Sequence, residues 1–125
     1  DGDCIQLAFH LGQPNTQKNY DGTETVVGAA LTKRGPLLWR WRPDDGPCPT
    51  ADLAVVRDEE KRTTIYEGRL PWREIGLVDM TTPITWSVTI NDRDGKDDPV
   101  GWMEWTAGLR GRHDSSAFGW LKLVK

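Results

Sequence analysis

Apolar and polar residues alternate along most of this chain, with the period of two that is typical of β-strands. The clearest case is segment 84–91 (ITWSVTIN), where the apolar residues point one way and the polar residues between them point the other. Similar though less regular patterns run through much of the rest of the chain. Strands are therefore also predicted over 4–9, 24–31, 36–42, 52–57, 62–70, 100–105 and 118–124.

One short segment is helical in character. Pro71 is suited to the first turn of a helix, and Gly76 ends it soon afterwards. Many short strands separated by turns that contain glycine and proline are typical of an antiparallel β-sandwich. The sequence therefore predicts an all-β, jelly-roll-like sandwich with one short helical turn near 71–76.

Length and charge narrow the class of protein. The chain has 125 residues, which corresponds to a single domain over 1–125. A net charge of −3 and a pI near 5.3 argue against a nucleic-acid partner, which usually meets a basic surface. No apolar run approaches the roughly 20 residues that a membrane-spanning helix needs.

The chain is rich in tryptophan. It holds seven, which implies either a tryptophan-rich core or indole rings that face a ligand. The alternation assigns Trp86 to a core face, and Trp39 and Trp41 share a core-like face with Leu37. Trp102 and Trp105 fall on opposite faces of one strand, so at least one of the two is a candidate for exposure.

Several other residues are candidates for chemistry. The acid-rich loop after residue 91 supplies weak calcium candidates in Asp94, Asp97 and Asp98. Its spacing does not match an EF-hand, and a solvated hairpin turn is the favoured explanation. No pair of acids is marked as a catalytic pair and no G-x-S-x-G motif occurs, which argues against an enzyme. Cys4 and Cys48 are compatible with one disulfide or with two free thiols.

Five stretches, taken in order, resemble the family 9 carbohydrate-binding modules and the wider DOMON-like group of β-sandwich domains. Each stretch alone is a weak signal, whereas their order is fairly specific. The stretches are 3–9 (DCIQLAF), 66–72 (YEGRLPW), 86–95 (WSVTINDRDG), 101–105 (GWMEW) and 114–123 (DSSAFGWLKL).

The resemblance implies a non-catalytic accessory module that binds an oligosaccharide or polysaccharide. Such modules are usually attached to secreted bacterial carbohydrate-active enzymes, so an extracellular or periplasmic location is expected. The family's front strands have no counterpart before Asp3, and the chain is therefore expected to belong to a larger polypeptide with neighbouring domains. No cofactor is implied beyond the calcium candidate.

The resemblance also suggests a ligand site on one face of the sandwich and its bordering loop, formed by Gln6, Thr89, Asn91, Trp105 and Arg112. Trp105 would stack on a sugar ring, while Gln6 and Asn91 would hydrogen-bond its hydroxyl groups. Thr89 stands where the family uses a polar ligand-binding residue. Arg112 stands where the family has a second stacking tryptophan, and it would pair with an anionic sugar if the ligand has one.

Two alternatives stay open at this stage. The first is a structural or interaction β-sandwich that has lost the sugar site and packs against other domains. The second is a DOMON-like haem domain, for which Met80, Met103, His10 and His113 are the available axial ligands.

Overall fold

The computed structural model describes residues 3–93 and 101–122 of the chain. These residues form nine strands and two short 3₁₀ turns, so the predicted all-β antiparallel class is confirmed. The strands are β1 (Cys4–Leu11), β2 (Thr25–Thr32), β3 (Gly35–Arg42), β4 (Gly46–Pro47), β5 (Asp52–Asp58), β6 (Thr63–Arg69), β7 (Ile84–Asp92), β8 (Gly101–Trp105) and β9 (Gly119–Leu121). The turns span Trp72–Ile75 and Ser115–Ala117.

The predicted helical turn is the 3₁₀ turn Trp72–Ile75. Gly76 ends it in the left-handed conformation at φ 78°, where its N–H bonds to the carbonyl of Arg73 at 3.2 Å. The turn buries Ile75 in the main core and also buries the carboxylate of Glu74. Hydrogen bonds from Thr50, together with the nearby Arg40, hold the pKa of Glu74 below its ordinary value.

Seven strands form one antiparallel sheet in the order β4-β3-β2-β1-β7-β8, with β9 also paired to β7. The register places Gln6 of β1 between Gly28 of β2 and Thr89 of β7. It places the next residue of β1, Leu7, between Val27 and Val88. These two rows of residues belong to opposite faces of the sheet.

Strands β5 and β6 form a separate hairpin that packs on one face of the large sheet, which we call the covered face. A cavity of about 230 Å³ lies between these layers, with Ile5 and Leu7 on the sheet side and Leu53 and Tyr66 on the hairpin side. The main core fills this side of the sheet. Its buried members are Phe9, Val27, Cys48, Ile75, Leu77 and Ile84.

The other face, which we call the open face, is covered only in part. The chain between β8 and β9 folds over one end of it, where Leu109 and Phe118 pack on Ala8 and Val26 as a second, smaller core. The rest of this face has no second sheet over it among the residues described. Cys4 lines this face and Cys48 lies in the main core, and both thiols are free.

The prediction that Leu37, Trp39 and Trp41 form a core face is wrong. They do share one side of β3, but the pairing of Trp39 with Gly28 puts that side on the open face. Leu37 and Trp41 are consequently 41% and 43% exposed. Leu38 is the residue of this strand that packs against the main core.

Among the described residues, no helix has the length and apolar character needed to cross a membrane.

Candidate functional site

A groove of about 510 Å³ runs along the open face over β1, β2 and β3. Its lining combines aromatic and apolar side chains with a few polar groups, as ligand sites usually do. Gln6 and Cys4 contribute from β1, Gly28 and Ala30 from β2, and three further side chains come from β3. These three are Leu37, Trp39 and Trp41.

Trp41 is placed over the sheet by a glycine. Its six-membered ring lies directly above Gly28, so that a Cβ atom at Gly28 would collide with the ring. Gly28 has no positive φ, which means that close approach, and not backbone conformation, is what favours glycine here. The ring therefore rests against the strand and keeps part of its surface in the groove.

Trp39 is held by its polar edge. Its indole Nε1 donates a hydrogen bond of 2.6 Å to the Asp45 carboxylate, and the Nε of the next residue, Arg40, donates to the carbonyl of Asp44. Because the N–H group is already satisfied, the ring presents its apolar surface to the groove. Two oriented indole rings thus line the groove from β3.

A second cavity of about 230 Å³ continues from the groove, since Gln6 and Trp41 line both. Tyr20 and Arg42 close this end, with the Arg42 guanidinium 5.4 Å from the Tyr20 ring centre. His113 stacks on Tyr20 at 5.2 Å. Burial, reinforced by the nearby Glu24 carboxylate, raises the pKa of Tyr20 above its ordinary value.

Across the sheet, β7 and β8 carry a third group of side chains on the open face. The Arg110 guanidinium lies 5.1 Å from the Trp102 ring centre and donates a hydrogen bond to the Asn91 side-chain oxygen. The Asn91 amide in turn lies 3.5 Å from the Cys4 sulfur. The Glu104 carboxylate accepts hydrogen bonds from the backbone N–H groups of Leu109 and Arg110, both at 2.9 Å, which holds this loop in place.

The five residues predicted as a ligand site are not brought together. Gln6, Thr89 and Asn91 do share the open face, and Gln6 lines the groove. Thr89 is fully buried, and Asn91 is engaged with Arg110. Arg112 is exposed in the loop after β8.

Trp105 lies on the opposite face from Gln6, so placing the two on one face was wrong. Thr89 pairs with Glu104 across the sheet, which leaves Trp105 opposite Val88 on the covered face. There its ring centre is 5.1 Å from that of Trp86. Because side chains alternate between the two faces along β8, the Trp105 side chain lies on the face opposite the groove.

Four residues outside the predicted set are better candidates for contact with a ligand than the sequence pattern indicated. Trp39, Trp41, Trp102 and Arg110 all reach the open face. Gly28 was the available signal, because glycine inside a predicted strand often marks the close approach of another group. The calcium candidates Asp94, Asp97 and Asp98 lie outside the described residues.

Outside the groove, His10, Asp21 and Glu24 bring three potential metal-ligating atoms within 4.8 Å of one another. His10 is buried there, whereas Met80 and Met103 are exposed. Met103 pairs with Ile90 on the covered face, the opposite side of the sheet from His10. A haem ligated by His10 and Met103 would thus need to reach both faces.

Comparison with known protein families, with curated proteins and with solved structures gives no match for this chain.

Proposed function

We propose that this protein is a non-catalytic glycan-binding module of the family 9 carbohydrate-binding type, acting as an accessory domain of a secreted, bacterial carbohydrate-active protein. The observation that carries the proposal is the position of Trp41, over Gly28 and beside Trp39 and Gln6 in the groove. The groove volume of about 510 Å³ is within the range that small-molecule sites occupy.

The chemistry of the groove suits a sugar. The C–H face of a pyranose ring is apolar and packs against an indole ring, while its hydroxyl groups need hydrogen-bond partners. Trp39 and Trp41 provide two such rings, and Gln6 provides both a donor and an acceptor beside them. A carbohydrate chain laid across the groove from β3 toward β1 would meet all three.

Charged side chains bear on the class of glycan. Lys33 lines the groove, and Arg42 borders the cavity that continues from it. Asp3 also lines the groove and offsets part of this positive charge. Neutral and acidic oligosaccharides both belong in the test, and calcium belongs in the buffer because Asp94, Asp97 and Asp98 remain calcium candidates.

The second candidate function is an interaction domain that packs against a neighbouring domain of the same polypeptide. The apolar surface near β8 favours it, since the hairpin leaves Ile90, Met103 and Trp105 exposed on the covered face. Exposed apolar residues that lie together are typical of protein interfaces.

Two matched tryptophan variants separate these proposals. Trp41 and Trp105 have similar exposure, 43% and 51%, but lie on opposite faces of the sheet. In isothermal titration against neutral and acidic oligosaccharides, we expect saturable binding to one class of glycan. Trp41→Ala should weaken that binding at least about tenfold, the equivalent of roughly 1.4 kcal/mol. Trp105→Ala should leave it unchanged.

Other results would contradict the proposal. Absence of heat with every oligosaccharide, from a chain that circular dichroism finds folded, would favour the interaction domain. Loss of binding in Trp105→Ala with retention in Trp41→Ala would move the sugar to the covered face, where Trp105 lies beside Trp86.

A further inference from the structure

At the base of the open face, three metal-ligating side chains come from consecutive parts of the chain. His10 belongs to β1, Asp21 to the loop that follows it, and Glu24 directly precedes β2. One ring nitrogen of His10 and one carboxylate oxygen from each acid lie within 4.8 Å of one another. His10 Nε2 is 3.2 Å from the Asp21 Oδ2 atom.

Two of the three side chains are withdrawn from water. His10 is 2% exposed and Glu24 is 1% exposed. The Glu24 carboxylate accepts hydrogen bonds from the N–H groups of Asp21 and Gly22, both at 3.0 Å, and from the Ser115 hydroxyl at 2.6 Å. All of these donors are neutral, and in the described parts of the chain Glu24 forms no ion pair with a lysine or an arginine.

A buried carboxylate without a cationic partner is costly, and a second carboxylate beside it adds repulsion. The imidazole presents Nε2 to Asp21, so Nε2 is the ring nitrogen that would bind an ion, and the ring proton would then be on Nδ1. His10 Nδ1 is buried and has no hydrogen-bond partner among the described residues.

We propose that His10, Asp21 and Glu24 bind a divalent transition-metal cation of the zinc class. One imidazole nitrogen with two carboxylate oxygens suits zinc and its neighbours, whereas calcium takes six to eight oxygen ligands. Two carboxylates also balance the charge of one divalent ion. The side chain of Asp21 is 41% exposed, which gives the ion a route from solvent and leaves room for water as a further ligand.

The ion would act as a cross-link. It would tie β1 to the loop before β2 and, through the Glu24–Ser115 hydrogen bond, to the second 3₁₀ turn. The same loop carries Tyr20, which lines the smaller cavity of the open face. The site itself stands independently of glycan binding, because none of its three ligands lines the groove.

The chain offers a closely matched control for the exposed ligand. Asp21 accepts hydrogen bonds from the backbone and hydroxyl of Thr23 at 3.0 and 2.6 Å. Asp79 accepts the same pair from Thr81, both at 2.8 Å, and is also exposed. Only Asp21 lies against a histidine, so Asn at each position changes the same local turn but only one candidate metal ligand.

The experiment is titration of the chelator-treated chain with Zn²⁺, followed by calorimetry and by thermal unfolding. We expect one ion per chain and a Tm that rises with Zn²⁺ concentration. Asp21→Asn should weaken Zn²⁺ binding at least about tenfold. Loss of a residue that only hydrogen-bonds to a metal ligand already costs about 10–100-fold, and loss of a ligand itself should cost no less. Asp79→Asn should bind as the unmodified chain does.

A spectroscopic readout keeps the test valid if Asp21→Asn is poorly folded. The chain has two histidines, and His113 is exposed. In NMR spectra, Zn²⁺ should change the chemical shifts of the His10 ring and leave those of the His113 ring unchanged. The proposal fails if millimolar Zn²⁺ leaves His10 unshifted or if the two Asn variants bind equally. Tighter binding of Ca²⁺ than of Zn²⁺, or loss of Zn²⁺ binding on alkylation of Cys4, would also overturn it.

Discussion

The two sides of strand β7 differ in burial in the opposite sense to what their composition suggests. Its polar side chains Thr85, Ser87 and Thr89 are almost fully buried, because the chain between β8 and β9 folds close to that side. Its apolar side starts buried at Ile84 and is 40% exposed at Ile90, where the hairpin no longer covers the sheet. Alternation therefore identified the strand, but the position of other segments decided which side became interior.

The small polar side chains on the buried side have a structural use. The Ser87 hydroxyl shares its single proton between the carbonyls of Trp105 and Thr106, at 3.1 and 2.8 Å, and so anchors the end of β8. Thr106 in turn donates to the carbonyl of Trp86. Larger apolar residues at these positions would push this loop away from the sheet.

The largest expected effect tests the contrast within the apolar side of β7. Ile84→Ala should lower the free energy of unfolding by about 2–5 kcal/mol, because it opens a cavity in the main core. Ile90→Ala should cost less than about 1 kcal/mol, because the side chain is already partly in water. Denaturant unfolding of both variants measures the difference, and equal losses would mean that a further segment covers Ile90.

An intermediate effect is expected from Gly28, on the open face. Gly28→Ala should displace Trp41 and weaken glycan binding about tenfold or more, as removal of the ring does. Gly46→Ala is the control, since a Cβ there meets nothing within 4 Å and Gly46 has no positive φ. Titration with the glycan that binds best makes the comparison, with tryptophan fluorescence reporting the movement of the ring. Unchanged binding in Gly28→Ala would argue that Trp41 does not contact the sugar.

The smallest effect distinguishes two buried hydroxyl groups on the polar side of β7. Ser87→Ala removes a hydroxyl that serves two carbonyls and should cost about 1–2 kcal/mol of stability. Thr89→Val replaces a buried hydroxyl that has no partner among the described residues, and should be neutral or slightly stabilising. Thermal unfolding compares the two. Clear destabilisation by Thr89→Val would reveal a hydrogen-bond partner for the Thr89 hydroxyl.

Much of the fold follows from the sequence, and the ligand site follows from it much less. Local alternation located the predicted strands, and Pro71 with Gly76 located the helical turn, because these signals depend on neighbouring residues alone. The shared face of Gln6, Thr89 and Asn91 was also predictable once β1 and β7 were taken as partners. Trp105 was misplaced because only the register between β7 and β8 decides which face it joins.

By itself, the sequence determined the class of the fold, the approximate positions of its strands and the existence of two distinct sides on each strand. Tertiary structure decided which side is interior, through the resting places of the β5–β6 hairpin and of the segment between β8 and β9. It also brought together His10, Asp21 and Glu24, and laid Trp41 on Gly28. Periodicity is a short-range property of the backbone, whereas burial depends on segments that are distant in the chain.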